Sequence, residues 1–218
     1  MHVNPIRIII ADDHDIIRHG LRGLFDNNPE YEVVAEADNG RDIIQLTRDY
    51  QPDVITMDIT MPELNGIEAT RQIRSEHPEI EIIGLTMHPN FVFAEEMFLA
   101  GAKGYVLKSN VMDELIPAIK AVLKGDTYVS PSIQDVDSDF PFQASPSSEK
   151  LLFRTLSPRE REVLQLIAEG KSTKEIASLI NITPKTVEKH RYFIKKKLHI
   201  LTTAEFVKFA LRMGLTSL

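Results

Sequence analysis

The chain has 218 residues, longer than one typical domain and compatible with two. Its 43% hydrophobic and 26% charged residues exclude disorder along the whole length, and the absence of cysteine excludes disulfides, thiolate metal sites and cysteine nucleophiles. The net charge of −7 conceals an asymmetry: residues 1–150 hold 12 Lys and Arg against 26 Asp and Glu, whereas residues 151–218 hold 13 against 6. An acidic piece followed by a basic one points to two jobs, the second with a polyanionic partner.

The first residues, MHVNPIRIII, lack the length of a signal peptide, and no apolar stretch reaches the roughly 18 residues needed to cross a bilayer. A soluble, cytoplasmic protein with no membrane partner is expected. Short, β-branched, nearly continuous apolar runs follow at 6–11, 31–37, 54–57, 80–86 and 104–107. Such runs suit strands covered on both faces. Helix-period segments lie between and after them, at 15–27, 41–50, 67–76, 91–100 and 111–124, the third opened by the cap spacing Asn65-x-x-Glu68. Five strand-then-helix units imply an α/β fold with a five-stranded parallel sheet and helices on both sides. They match the flavodoxin-like, doubly wound order 2-1-3-4-5, whose ligands sit beyond the carboxyl ends of the strands.

The pattern fails from about Ser130 to Lys150, where three Pro and six Ser carry no period. Residues 129–150 therefore read as a linker between a domain at 1–128 and another at 151–218. Within the linker, Phe140 and Phe142 have no assigned partner. The last part is all helical, with capping boxes at Ser157-x-x-Glu160, Ser172-x-x-Glu175 and Thr202-x-x-Glu205. Pro158 stands at a first helical position and Gly170 just past a helix end. Another helix starts at Thr183-Pro184 and runs to about Leu198.

In such a sheet the ends of the first, third, fourth and fifth strands carry Asp12-Asp13, Asp58, Thr86 and Lys108. Each alone has an ordinary reading as a helix cap, a solvated strand end or a β-branched strand residue. Together on one sheet edge they can converge. Clustered carboxylates raise one another's pKa, and a divalent cation relieves that cost. Mg²⁺ suits a few carboxylates, retained waters and a phosphate oxygen. Lys108 offers a compact positive charge and Thr86 a hydroxyl, so the set has the parts for phosphoryl transfer to a carboxylate. The turn shaped by Pro62 and Gly66 can lend the metal a main-chain carbonyl, for which Thr60 is the expected donor.

The stretches IIIADDHDIIRHGLRGLF, DVITMDITMPELNGIEATRQIR, IIGLTMH and AGAKGYVLKSN resemble the receiver domain of bacterial two-component response regulators. The resemblance implies that Asp58 accepts a phosphoryl group from a sensor histidine kinase, and that Asp12 and Asp13 bind Mg²⁺, Asp13 directly. It further implies that Thr86 and Lys108 contact the phosphoryl oxygens and that Tyr105 is an aromatic rotamer switch. By its residue type alone, Tyr105 reads as a half-exposed strand aromatic.

In the basic part, Val187, His190, Ile194 and Leu198 share one helical face, and Lys185, Glu188, Lys189, Tyr192, Lys195 and Lys196 the other. The turn at Asn181-Ile182 between two capped helices gives a helix-turn-helix. The outer face suits the major groove of double-stranded DNA, with Lys donating to guanine and Glu accepting from cytosine. A solvated basic helix is the alternative. His190 reads as a core residue, since no partner stands at metal spacing. LSPREREVL, KEIA and TVEKH are similar to the NarL/FixJ/LuxR-type DNA-binding domain. That similarity places the family's outward positions on Glu188, Lys189 and Tyr192, in agreement with the derived face, so DNA contacts are expected from Lys185, Thr186, Glu188, Lys189, Tyr192 and Lys196. The last helix resembles the family's dimerisation helix, with Phe206, Phe209 and Met213 as candidates, and otherwise reads as a plain packing helix. Glu188 stands where a basic residue is often found, and Thr173 where Asn is common.

The expected function is a response-regulator transcription factor: phosphorylation of Asp58 promotes dimerisation or release of the C-terminal module for operator binding. Its partners would be a histidine kinase, DNA, a second copy on activation and, as a further candidate, RNA polymerase. It is not expected to be an enzyme beyond slow hydrolysis of its own phosphoaspartate. A Mg²⁺-dependent phosphatase of the haloacid dehalogenase type would need a second Asp two residues after Asp58, where Thr60 stands. A constitutive DNA-binding protein with an idle receiver is the other rival.

Overall fold

A computed structural model describes residues 4–87, 91–134 and 148–216. Two compact units divide the chain, Met1–Phe142 and Gln143–Leu218. Most of the expected linker, 135–147 with Phe140 and Phe142, lies outside the described residues.

The first unit is built on strands β1 (Ile6–Ala11), β2 (Tyr31–Ala37), β3 (Val54–Asp58), β4 (Glu81–Thr86), β5 (Gly104–Leu107) and β6 (Tyr128–Val129). All pairs are parallel and the order is β2-β1-β3-β4-β5-β6. Helices α1 (Asp15–Asp26), α2 (Gly40–Tyr50), α3 (Gly66–Glu76), α4 (Phe91–Leu99) and α5 (Val111–Val122) connect the six strands in turn. Alternation along each strand divides the core in two. Ile9, Ile55, Met57 and Ile82 pack with Ile43, Ile67, Ile73 and Met97 on one face. Ile8, Ile10, Ile83, Leu85 and Val106 pack with Leu21, Phe25, Leu115 and Ile119 on the other. Each such side chain contributes about 1.5–3 kcal/mol of burial free energy, which is why the strands read as continuous apolar runs.

The flavodoxin-like sheet and its order are as expected, with one correction: there are six strands, not five. Tyr128 and Val129 pair with Gly104 and Tyr105, and two residues are too few to display a period. The first unit also runs past 128. A short helix, α6 (Pro131–Gln134), follows, and Ile133 is fully buried. Ser130 explains this: its NH bonds the Tyr105 carbonyl at 2.9 Å, and its buried hydroxyl accepts from the Leu107 NH at 3.0 Å while donating to Glu114. A residue that looked like linker composition closes the end of β5.

The second unit contains α7 (Ser148–Arg154), α8 (Pro158–Ala168), α9 (Thr173–Leu179), α10 (Pro184–Leu198) and α11 (Thr203–Arg212). The three capping boxes form as spaced, so Ser157, Ser172 and Thr202 each satisfy a donor of the first helical turn. Asn181, at φ 51, turns the chain between α9 and α10. Helix α7 begins inside the stretch read as linker. Phe153 anchors it in the core, and Glu149 pairs with Arg212 at 2.8 Å. Phe206, Phe209 and Met213, expected on a dimer face, are instead buried in the core of this unit with Val163, Ile176 and Ile194. Here α11 is the packing helix that the sequence offered as the alternative.

A half-buried ion pair joins α8 to α10. Lys197 Nζ lies 2.7 Å from Glu160 Oε2 and 3.0 Å from the Thr155 carbonyl. Burial opposes the Glu160 charge, but Lys197 and the Ser157 NH hold its pKa below the ordinary carboxylate value. Lys197→Ala is expected to destabilise this unit by about 2 kcal/mol, the scale of a charge-assisted hydrogen bond, while leaving the salt dependence of any DNA binding unchanged. Urea denaturation and a salt titration check the two halves of that expectation.

Candidate phosphoacceptor site and nucleic-acid face

The strand ends of the first unit bring the predicted residues together. Asp12 directly follows β1, Asp58 and Thr86 end β3 and β4, and Lys108 opens a single 3-10 turn after β5. Asp12 is fully buried, and Asp58, Thr86 and Lys108 nearly so. Lys108 Nζ bridges two of the acids, 2.7 Å from Asp12 Oδ2 and 2.8 Å from Asp58 Oδ2. Asp13 stands at the rim, with its side chain 28% exposed.

Electrostatics follow from this crowding. Burial pushes the Asp58 carboxyl up to about 7, Asp12 and Asp13 add to the rise, and the Lys108 ammonium opposes it. Burial disfavours the Lys108 charge, but Asp58 and Asp12 hold its pKa above the ordinary value. Asp12, Asp13, His14 and Asp58 each offer a ligand atom, all within 4.8 Å of one another. Three carboxylates converging at a sheet edge fit a hard divalent cation such as Mg²⁺, which prefers oxygen donors and keeps several waters. The loop after Asp58 is drawn in tightly: the Gly66 NH bonds the Ile59 carbonyl at 2.8 Å. A Cβ on Gly66 would lie 1.9 Å from the Asp58 carbonyl oxygen, so only glycine lets α3 start here. The Thr60 NH points back to Asp58 Oδ1 at 3.4 Å.

Tyr105 is fully buried rather than half-exposed, with its ring 6.4 Å from that of Phe98. Burial raises the pKa of its phenol, and contact with the Thr86 hydroxyl pulls the other way. The switch pair expected from the sequence therefore stands side by side. Two residues at the site were missed. His14 donates its NH to Asp12 Oδ1 at 2.9 Å and places Nδ1 2.7 Å from Asp13 Oδ1; its adjacency to the Asp pair was the available signal. Arg18 donates to the Asp12 carbonyl at 2.7 Å and pairs with Asp15 and Glu36, pinning the turn that carries the acids. One turn into a helix, Arg18 carried no sequence signal.

In the second unit, Val187, Ile194 and Leu198 of α10 face the core, and His190 is half-buried with its pKa lowered chiefly by burial. Lys185, Glu188, Lys189, Tyr192, Lys195 and Lys196 are exposed, as the periodicity requires. Thr186 is half-buried and shares a 2.8 Å hydroxyl contact with the capping Thr183, so it belongs to the helix start as much as to the outer face. Lys189 lies 5.9 Å over the Phe193 ring, which meets Tyr192 edge-on.

Comparison with known proteins agrees with both halves. The response regulator receiver domain model matches residues 8–120, and that of bacterial regulatory proteins of the luxR family matches residues 154–210. The chain belongs to the LuxR-type response regulators. The regulator is 36% identical over 212 residues to the transcriptional regulatory protein MctR of Rhizobium johnstonii, covering 97% of this chain and 96% of that one. Against the response regulator GacA of Pseudomonas aeruginosa it is 34% identical over 210 residues, covering 96% and 97%. Among solved structures, a LuxR-family response regulator from Aurantimonas sp. is similar at 44% identity and a TM-score of 0.58, over 60% of this chain and 94% of that one. RcsB of Salmonella enterica serovar Typhimurium, bound to a promoter in the presence of a phosphomimetic, is similar at 28% identity and a TM-score of 0.62, over 94% and 98%. Among the regulator's described residues, no helix is long and apolar enough to cross a membrane.

Proposed function

We propose that the protein is a cytoplasmic transcription regulator switched by phosphorylation of Asp58 by a sensor histidine kinase. One observation carries this reading: the buried Asp12–Lys108–Asp58 bridge at the carboxyl edge of a parallel sheet, in a chain that also bears an exposed basic recognition helix. In the transfer, an Asp58 carboxylate oxygen forms the new bond to phosphorus while the bond to the kinase imidazole nitrogen breaks and its electron pair stays on the ring. Lys108 meets the negative charge of the transferred group with its ammonium. Asp12, Asp13, Asp58 and the Thr60 main-chain carbonyl would hold Mg²⁺. When bound, the cation offsets the repulsion between these carboxylates and the phosphoryl oxygens.

Charge added at Asp58 is read by the hydroxyl of Thr86, at the end of the neighbouring strand, and Tyr105 follows because its phenol contacts that hydroxyl. The face built by α4, β5 and α5 changes with them. Dimerisation or release of the C-terminal module follows, with paired modules on DNA half-sites and RNA polymerase as a further partner. On DNA, Lys189 and Lys196 meet phosphates and base acceptors, while Lys185, Thr186, Glu188 and Tyr192 line the same groove. Slow hydrolysis of the phosphoaspartate resets the switch.

The test is labelling with acetyl phosphate, with and without Mg²⁺, followed by mobility shift on genomic fragments. Labelling is expected only with Mg²⁺, and labelled protein should bind a subset of fragments more tightly. Binding should fall steeply between about 50 and 200 mM salt, and Lys189→Ala should weaken it by about tenfold. Labelling that ignores Mg²⁺, or DNA binding that ignores salt, would overturn the reading.

A further inference from the structure

Glu188 is the sole acid in the sequence of α10, among Lys185, Lys189, Arg191, Lys195, Lys196 and Lys197. On a helix whose neighbours attract phosphate, a carboxylate repels it, so Glu188 contributes nothing to general DNA affinity. It sits near the helix N-terminus, the end that reaches base edges in helix-turn-helix docking. Its exposed side chain is nonetheless held: Thr173, the first residue of α9, lies with Oγ1 2.6 Å from Glu188 Oε1. A carboxylate only accepts, so the Thr173 hydroxyl is the donor. Oε2 has no hydrogen-bond partner among the described residues. One oxygen is thus fixed from the scaffold helix while the other remains open as an acceptor.

We propose that Thr173 is a positioning residue for base reading: its hydroxyl orients the Glu188 carboxylate so that the open oxygen accepts from the amino group of a cytosine in the major groove. The inference rests on the reading that this module binds DNA, and adds which base it selects and what fixes the selection. A free Glu side chain has several rotatable bonds, and ordering it on DNA opposes a specific contact. The bond to Thr173 supplies that order before binding. The pairing also restricts the alternatives, because cytosine N4 is the donor that a major-groove carboxylate recognises.

The experiment uses the full chain treated with acetyl phosphate and Mg²⁺, with selection from randomised duplex DNA followed by affinity measurements on the selected site and its single-base variants. Wild type is expected to prefer C·G at one position of each half-site by about tenfold. Glu188→Ala should abolish that preference. Thr173→Val should reduce it by about threefold or more with unchanged non-specific affinity and salt slope, and Thr173→Ser, which keeps the hydroxyl, should restore it. Selection of a site with no cytosine preference, or a Thr173→Val protein that keeps the preference in full, would overturn the proposal. So would a uniform loss of affinity for every sequence in Thr173→Val, since that marks a bond that merely braces two helices. Wild type that binds no DNA in a salt-dependent way would instead remove the reading on which the inference rests.

Discussion

Lys108→Ala is expected to destabilise the metal-free receiver unit by about 3–5 kcal/mol, the cost of leaving a buried charge cluster without its counter-ion. The Lys108 side chain is 1% exposed and its nitrogen lies within 2.8 Å of both Asp12 and Asp58. Without it, two buried carboxylates share one site with Asp13 at the rim and no cation between them. Asp58, already raised to about 7 by burial despite Lys108, would rise further once that opposing charge is gone. Mg²⁺ replaces some of the lost charge, so the deficit should shrink as Mg²⁺ is added. Hydrogen exchange of the β1 and β5 amides, in EDTA and then in Mg²⁺, isolates this unit from the second. A loss below about 1 kcal/mol, or one indifferent to Mg²⁺, would contradict the assignment of the cluster as a cation site.

The reach of the sequence follows from what each feature depends on. Four of the first five strands were visible because both faces are covered, which forces runs such as Ile8–Ile9–Ile10 that no solvated segment would tolerate, while β2, at the sheet edge, is only partly covered. The capping boxes were visible because a helix start is a local chemical problem solved within four residues. The acid edge was visible only by combining units: Asp12, Asp58 and Lys108 are meaningless alone, but parallel strands place their ends together. What escaped depends on contacts that no period encodes. β6 is held by backbone pairing to Gly104 and Tyr105 and by the Ser130 hydroxyl, in a stretch whose Ser and Pro content suggested a linker. α7 is fixed by Phe153 and the Glu149–Arg212 pair, which need the rest of the unit in place. Phe206, Phe209 and Met213 have the spacing of a helix face, and spacing cannot say whether that face meets its own core or a second copy. The Thr173–Glu188 bond links two helices across a turn, so only the folded unit reveals it.

Asp58→Asn is expected to abolish labelling by acetyl phosphate and, in the metal-free protein, to raise stability by about 2–4 kcal/mol at neutral pH. Loss of labelling follows from removing the anionic oxygen that must attack phosphorus. The gain follows from linkage. Burial raises the folded-state pKa of Asp58 from 3.8 to about 7, so between those values the native state holds a proton that the unfolded chain has released. Stability of the wild type therefore falls as pH rises through that window and levels off above about 7, the reverse of a carboxylate whose pKa is depressed by folding. Asn has no proton to lose, and Lys108 keeps its 2.7 Å partner in Asp12. The advantage of the variant should be absent below about pH 4, grow towards pH 7 and stay constant above. Mg²⁺ should reduce it by stabilising more strongly the protein that retains the Asp58 carboxylate. Denaturation midpoints measured from pH 4 to 8 in EDTA test this, and a variant less stable than wild type at pH 8 would show that Asp58 is held ionised by its neighbours rather than penalised by burial.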